Sequence, residues 1–179
     1  MGTDLILPHK WMLRAYDKKV VFVKGFSERP EHVIMKALLW ALYLPVYPNL
    51  TVEVGVGDRY KPDVVALDDE GKPVLWAEAG QVSMEKIRSL VRRYRSTHFV
   101  IAKWATRLDP LIALVGDALD SSTRCAPFDL IYFGSDSAQR FIDAEGNVRV
   151  RLEDLDWVRF NEGGSAVRYI PEPPRERKA

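Results

Sequence analysis

Two apolar stretches, residues 62–68 and 73–79, are the feature that most constrains the fold of this chain. The segment Asp69-Glu70-Gly71-Lys72 between them has the acidic residues and the glycine that are typical of a hairpin loop. Away from the polar ends of each stretch, both alternating sets of residues are apolar, so neither face is suited to water. A two-stranded unit that is buried on both faces belongs in the middle of a sheet that helices cover.

The register of this hairpin brings two acids together. If the loop is centred between Glu70 and Gly71, residues whose numbers add to 141 face each other, and Asp63 then lies opposite Glu78. Their Cβ atoms would be about 5 Å apart, where like charges repel unless one acid keeps a proton, a cation lies between them or a divalent metal binds both. Mg²⁺ or Mn²⁺ suits this pair, because a hard cation takes one or two protein carboxylates and keeps several waters. A structural alternative stays open, in which Asp63 caps a turn and Glu78 pairs with Lys61.

The rest of the chain predicts an α/β fold. A helix should begin within residues 27–31 and end before Pro45, and two more are expected at residues 83–95 and 108–119. Further strands are predicted at residues 51–56, 98–105 and 129–133, and hairpins at residues 11–26, 140–152 and 158–170. We therefore expect a mixed central β-sheet flanked by helices, with extra N- and C-terminal hairpins, in one domain of residues 1–170 followed by a flexible tail at 171–179.

Charge is balanced over the whole chain but not along it. Lys and Arg total 26 against 25 Asp and Glu, which excludes a protein that binds nucleic acid or lipid through its bulk charge. Residues 83–95, however, carry five basic residues and one acid. Arg88, Arg92 and Arg95, called here the arginine stripe, recur at helical spacing and could contact the phosphates of DNA or RNA. A solvated helix face is the alternative interpretation of the stripe.

The compartment is predicted from what the chain lacks. Cys125 is the single cysteine, so no intramolecular disulfide can form. Residues 1–6 show no signal-peptide pattern, and the most apolar stretch, residues 33–44, is shorter than the ~20 residues that cross a bilayer. We expect a cytoplasmic protein without a membrane span.

The spacing of the two acids resembles a nuclease pattern. Pro62-Asp63, followed after fourteen residues by Glu78-Ala79-Gly80, is similar to the motif of the PD-(D/E)XK nuclease-like superfamily, and residues 27–104 resemble its YaeQ family. The resemblance implies a restriction-endonuclease-like core in the order helix, three strands, helix, strand. It also implies metal-dependent phosphodiester hydrolysis, with Asp63 and Glu78 as the ligands of Mg²⁺ or Mn²⁺. An acid on the first helix often faces the metal in this superfamily, and Glu31 is the candidate, although Glu28 and Glu31 equally suit the positive end of a helix.

One position departs from the nuclease motif. Gly80 occupies the place of the catalytic lysine, and Lys61, Gln81 and Lys86 are the candidates to replace it. The register favours Lys61, because it lies opposite Gly80 on the Asp63 face. The missing lysine also leaves a second hypothesis, a catalytically inactive module that keeps the nuclease fold and binds nucleic acid or protein through its basic helix.

Overall fold

The computed structural model describes residues 10–172. The predicted tail lies outside the described residues from 173 onward, as do residues 1–6. Four helices are present within the described range: α1 (Pro30–Tyr43), α2 (Met84–Arg93), α3 (Asp109–Leu119) and α4 (Ser137–Phe141). The strands are β1 (Lys10–Ala15), β2 (Lys18–Val23), β3 (Thr51–Val52), β4 (Val64–Leu67), β5 (Pro73–Ala79), β6 (His98–Trp104), β7 (Phe128–Phe133), β8 (Asp156–Phe160) and β9 (Ala166–Tyr169). None of the helices in this range has the length and apolarity that a membrane span requires.

A seven-stranded mixed sheet forms the centre of the protein. Its strands follow one another in the order β3 to β9, and β5, β6 and β7 run parallel while the other neighbours are antiparallel. The predicted α/β class is thus confirmed, together with the core order of helix, three strands, helix and strand. The N-terminal hairpin of β1 and β2 is a separate two-stranded sheet.

The predicted register of the central hairpin is confirmed within β4, from Val64 to Ala66. Val64 faces Ala77 and Val65 faces Trp76, both in pairs whose numbers add to 141. A bulge between Ala66 and Leu67 shifts the pairing by one residue near the loop. At the opposite end the regular pairing starts at Val64 and Ala77, so the predicted pairing of Asp63 with Glu78 lies just outside it.

Helices cover both faces of the sheet. On one face, α1 packs with the β1–β2 hairpin, and nearly all of its residues from 33 to 43 are buried because the helix is apolar on most sides. On the other face, α2 and α3 pack against a layer that includes Trp76, Phe99 and Leu130. The central strands β4 and β5 are buried on both sides, which explains their continuous apolar sequence.

The hairpin predicted at residues 140–152 forms only in part. Residues 137–141 form α4, and a single antiparallel bridge joins Ile142 to Val148. The carboxylate of Asp143 accepts hydrogen bonds from the N–H groups of Glu145 and Asn147, which closes the tight turn between them, but the pairing does not extend into two strands. The hairpins of β1 with β2 and of β8 with β9 are confirmed. The strand predicted at residues 51–56 ends at Val52, where Glu53 takes a left-handed φ of 56°.

Candidate functional site

Asp63 and Glu78 both lie near the carboxyl end of β5, close enough for the charge of Asp63 to act on the pKa of Glu78. The pairing is irregular just before β4, since the N–H of Asp63 donates at 3.1 Å to the carbonyl of Ala77, the residue that Val64 faces. The Asp63 Oδ2 atom accepts a hydrogen bond of 2.8 Å from the N–H of Ala79. Side chains alternate between faces along a strand, so Glu78 shares the face of Trp76, which α2 and α3 cover. The Asp63 and Glu78 side chains are 19% and 10% exposed, so solvent reaches both.

Two donors fix the Glu78 carboxylate. Its Oε1 atom accepts hydrogen bonds of 2.7 Å from Trp76 Nε1 and from Lys86 Nζ. Burial raises the pKa of Glu78, against the opposing effect of Lys86 and Trp76. One Glu78 oxygen is therefore held by the protein, while the carboxylate is kept close to a cationic group.

Lys86 reaches the site from the first turn of α2. Ser83 caps this helix, because its Oγ accepts a hydrogen bond of 3.2 Å from the N–H of Lys86. The Lys86 ammonium group also lies 5.3 Å from the centre of the Tyr60 ring, within cation–π range. We call Asp63, Glu78 and Lys86 the carboxylate site.

The start of α1 adds a second layer of charged side chains. His32 Nε2 lies 3.5 Å from Asp63 Oδ2, and His32 Nδ1 lies 2.7 Å from Glu28 Oε1. The hydrogen bond to Asp63 raises the pKa of His32. Lys36, which is fully buried, donates from Nζ to Glu28 Oε1 and to Glu53 Oε1, both at 2.5 Å. Burial disfavours the charged form of Lys36, but these two carboxylates outweigh it and raise the Lys36 pKa.

The network of charged side chains around the site consists of two ion-pair groups and has an excess of negative charge. Glu78 pairs with Lys86, and Asp63 is linked through His32, Glu28 and Lys36 to Glu53. The two groups contain four carboxylates and two lysines, which leaves two negative charges when the histidine is neutral and one when it is protonated. The carboxylates are Glu28, Glu53, Asp63 and Glu78, and the lysines are Lys36 and Lys86. An incompletely neutralised cluster at a sheet edge favours the binding of a cation.

The free oxygens of the carboxylate site suit a hard divalent cation. Asp63 Oδ1 and Glu78 Oε2 make no hydrogen bond with another residue in the range 10–172. No three His, Cys, Asp or Glu side chains of this range converge in a way that could hold a metal ion by themselves. A cation here would therefore have two protein carboxylates and fill its remaining positions with water or substrate oxygens, which is the way proteins usually hold Mg²⁺.

The sequence-predicted replacements for the missing lysine have different positions. Lys86 contacts Glu78, whereas Lys61 is exposed and forms no ion pair with a described residue. Gln81 is also exposed, and its side chain makes no hydrogen bond within residues 10–172. Gly80 has a φ of 95°, a conformation that favours glycine over lysine at this position. On α1, Glu28 rather than Glu31 belongs to the network.

The arginine stripe is exposed but turned away from the carboxylate site. Arg88 and Arg92 project from α2, and Arg95 follows the end of that helix. Together with Ser122 they line a cavity of about 80 Å³ beside the end of α3. At 100° per residue, Arg88 lies about 200° around α2 from Lys86. The stripe and the carboxylate site are therefore on opposite flanks of one helix.

Sequence reasoning missed His32, Lys36 and Glu53. Lys36 had a recognisable signal, because a lysine within an otherwise apolar helix must find partners once it is buried. Glu28, His32 and Lys36 are spaced by four residues, so a helical projection places them on one side of α1. Glu53 had no such signal, since its left-handed backbone conformation directs it in a way that spacing does not reveal.

The fold is that of the YaeQ proteins. The chain is similar to the crystal structure of the YaeQ protein from Xanthomonas axonopodis pv. citri, with a TM-score of 0.58 and 17% sequence identity over 89% of this chain and 93% of that one. It is also similar to YaeQ from Pseudomonas syringae, with a TM-score of 0.55 and 15% identity over 87% of this chain and 86% of that one. No family model and no curated protein sequence matches the chain.

Proposed function

We propose that the protein is a metal-dependent phosphodiesterase that cleaves nucleic acid at the carboxylate site. The observation that supports this most is the presence of two carboxylates, each with a free oxygen, and one lysine ammonium group near the carboxyl end of β5. A bound Mg²⁺ or Mn²⁺ would polarise a phosphoryl oxygen and lower the pKa of a coordinated water.

In this proposal, different residues bind the metal, position its ligands and stabilise the charge on the phosphate. Asp63 and Glu78 supply the two free carboxylate oxygens that would hold the cation. Trp76 and the N–H of Ala79 fix the other oxygens of these acids, so that the free ones have defined positions. Lys86 takes the role of the lysine that is missing at Gly80, since its charge can stabilise negative charge that develops on the phosphate.

Cleavage assays with matched variants test this proposal. The protein would be incubated with single-stranded and double-stranded DNA and RNA in Mg²⁺, in Mn²⁺ and in EDTA. We expect metal-dependent cleavage that falls at least about 100-fold in Asp63→Asn and in Lys86→Met, because each removes a charge that the reaction needs. Asp69→Asn is the matched control, since Asp69 is an exposed acid in the loop of the same hairpin, and it should cleave at the wild-type rate. Absence of cleavage on all substrates, or equal cleavage by Asp63→Asn, would overturn the proposal.

A second candidate function rests on the arginine stripe. Its three side chains are exposed and form no ion pair with a described residue, and they line a polar cavity. They could bind phosphates in a protein whose carboxylate site is inactive. In this case, nucleic acid binds without being cleaved, and replacing the stripe by three alanines reduces the salt dependence of the affinity by a log–log slope of about 2. A variant with Lys19, Lys72 and Arg107 changed to alanine has the same net charge and should bind like the wild type.

A further inference from the structure

A polar cavity of about 420 Å³ lies away from the carboxylate site. It is bounded by the end of β1, the second half of α1 and the segment after the turn at Asp143. The polar side chains around it belong to Arg14, Tyr16, Asn147, Arg149, Arg151 and Asp154. This volume falls within the ~300–1,000 Å³ range of small-molecule sites.

The cavity has an excess of positive charge. Three of its lining residues are arginines and only Asp154 is acidic. Arg14 Nη1 donates to the main-chain carbonyl of Glu145 at 3.0 Å, a bond that leaves its charge unneutralised. Arg149 forms no ion pair among residues 10–172, and the pair between Arg151 and Glu153 is exposed on both sides and therefore weak. An anion is the ligand that this charge favours.

Tyr16 presents an aromatic ring at the same cavity. It is the first residue of the two-residue turn between β1 and β2, and it has a left-handed φ of 55°. Glycine is the usual residue at such a position, because a side chain there is sterically unfavourable. The Tyr16 residue is nevertheless 68% exposed, so no burial of its ring compensates for the backbone conformation. Backbone strain of this kind concentrates at functional sites, and an exposed ring can stack on a nucleobase.

The walls of the cavity are held in place before any ligand binds. The N–H of Arg14 donates to the Gly146 carbonyl at 2.8 Å, and the N–H of Val148 donates to the Arg14 carbonyl at 2.6 Å. A Cβ atom at Gly146 would lie 2.7 Å from the Met12 carbonyl oxygen, so glycine permits this close approach. Arg14 and Asn147 are thereby fixed next to each other, which reduces the cost of ordering a site.

This cavity is separate from the carboxylate site. Its contact on α1 is Ala41, nine residues beyond His32, or about 13 Å along the helix. None of the residues that form the carboxylate site lines it. A ligand bound here would not occupy the position of the proposed metal.

We propose that the cavity binds a nucleoside phosphate, with its phosphate on Arg14, Arg149 and Arg151 and its base stacked on Tyr16. The cationic side chains and the aromatic ring that line the cavity can make the two kinds of interaction that such a ligand offers. Either a free mononucleotide or the phosphorylated end of a single strand carries this chemistry.

Calorimetric titration separates the parts of this proposal. The probes are AMP, adenosine, inorganic phosphate and a 5′-phosphorylated single-stranded oligonucleotide. We expect AMP to bind more tightly than adenosine or phosphate alone, and Arg149→Glu to weaken AMP binding by roughly tenfold or more through loss of a charged hydrogen bond. Tyr16→Gly should keep the fold, since glycine adopts the left-handed φ readily, and should weaken AMP by about fivefold or more without changing phosphate binding.

Control variants make the outcome independent of the proposed function. Asp63→Asn should bind AMP like the wild type, and so should Arg107→Glu, which changes an exposed arginine outside the cavity. Tighter binding of the oligonucleotide than of AMP, with the same sensitivity to Arg149→Glu, identifies a strand end as the source. Absence of binding by both AMP and the oligonucleotide, or binding that Arg149→Glu and Tyr16→Gly leave unchanged, would overturn the proposal.

Discussion

Two clusters of charged side chains lie at opposite ends of the parallel strands, and α1 extends between them. The carboxylate site lies at the carboxyl end of β5, near His32 at the start of α1. The second group, called here the buried cluster, comprises Asp129, His98, Arg159 and Tyr43. It lies at the amino ends of β6 and β7, beneath the last turn of α1.

The clusters differ in how fully their acids are bonded. Asp129 is completely buried, and both of its oxygens are engaged. Its Oδ1 accepts from Arg159 Nε, and its Oδ2 accepts from Arg159 Nη2, His98 Nε2 and Tyr43 Oη, at 2.7–2.8 Å. Asp63 is partly exposed and Glu78 is largely buried, but each keeps one oxygen free of protein hydrogen bonds. A saturated buried carboxylate stabilises the fold, whereas an unsaturated one at the surface is available for a ligand.

Replacing Asp129 by alanine should have the largest effect on stability. It leaves the buried His98 and the partly exposed Arg159 without their acceptor, and loss of one partner of a buried ion pair costs about 3–5 kcal/mol. Urea unfolding should therefore show a loss of that size. Asp63→Ala, the matched change in the carboxylate site, should cost clearly less, about 1–2 kcal/mol, because this side chain is partly exposed and makes one short hydrogen bond. Similar losses in the two variants would contradict the distinction between the clusters.

The two clusters should also respond to pH with opposite signs. Burial acts to raise the pKa of Asp129, but the hydrogen bonds from Arg159 and His98 outweigh it and lower the pKa from 3.8 to about 2. Asp129 thus contributes stability that is fully present above pH 3.8 and is lost as the pH falls through about 2, an effect of roughly 2 kcal/mol. Burial raises the pKa of Glu78 above 4.5, so its contribution is present below pH 4.5 and is lost as the pH rises through the higher value.

Urea unfolding at several pH values measures how the stability contributed by each acid changes with pH. The stability difference between wild type and Asp129→Asn should grow as the pH rises from about 2 to 3.8. The difference between wild type and Glu78→Gln should change in the opposite direction above pH 4.5, because the wild type alone must ionise a buried acid. Parallel pH profiles for the two variants would show that the clusters do not differ in this way.

The fold was largely predictable because its determinants are local. The apolar hairpin, its register and the alternation of helices and strands around it follow from periodicity within short windows. The segment at residues 140–152 was not predictable, because Val148 and Val150 alternate with arginines as in a strand. Val148 and Val150 are buried because they pack in the same core as α1, and the local sequence pattern does not reveal this long-range contact.

The candidate site was predictable only along one hairpin. Strand register predicts that Asp63 and Glu78 come to the same end of the hairpin, since register is a local property. Lys86 lies on a different element, and its approach to Glu78 depends on how α2 packs over the sheet. For the same reason the buried cluster could not be predicted, because Tyr43, His98 and Asp129 come from three distant segments.

A smaller effect is expected at the rim of the buried cluster. With Nε2 of His98 donating to Asp129, its Nδ1 accepts a hydrogen bond of 3.0 Å from the hydroxyl of Tyr47, which is only half-buried. Tyr47→Phe should therefore cost about 1 kcal/mol or less in urea unfolding, since water can replace a partner at the rim. Tyr43→Phe is the matched control and should cost about 1.5–3 kcal/mol, because it removes a fully buried hydrogen bond to a charged acid. Equal losses of unfolding free energy for the two variants would mean that burial does not set the strength of these hydrogen bonds. The buried cluster and the carboxylate site would then differ in their charges but not in the effect of burial.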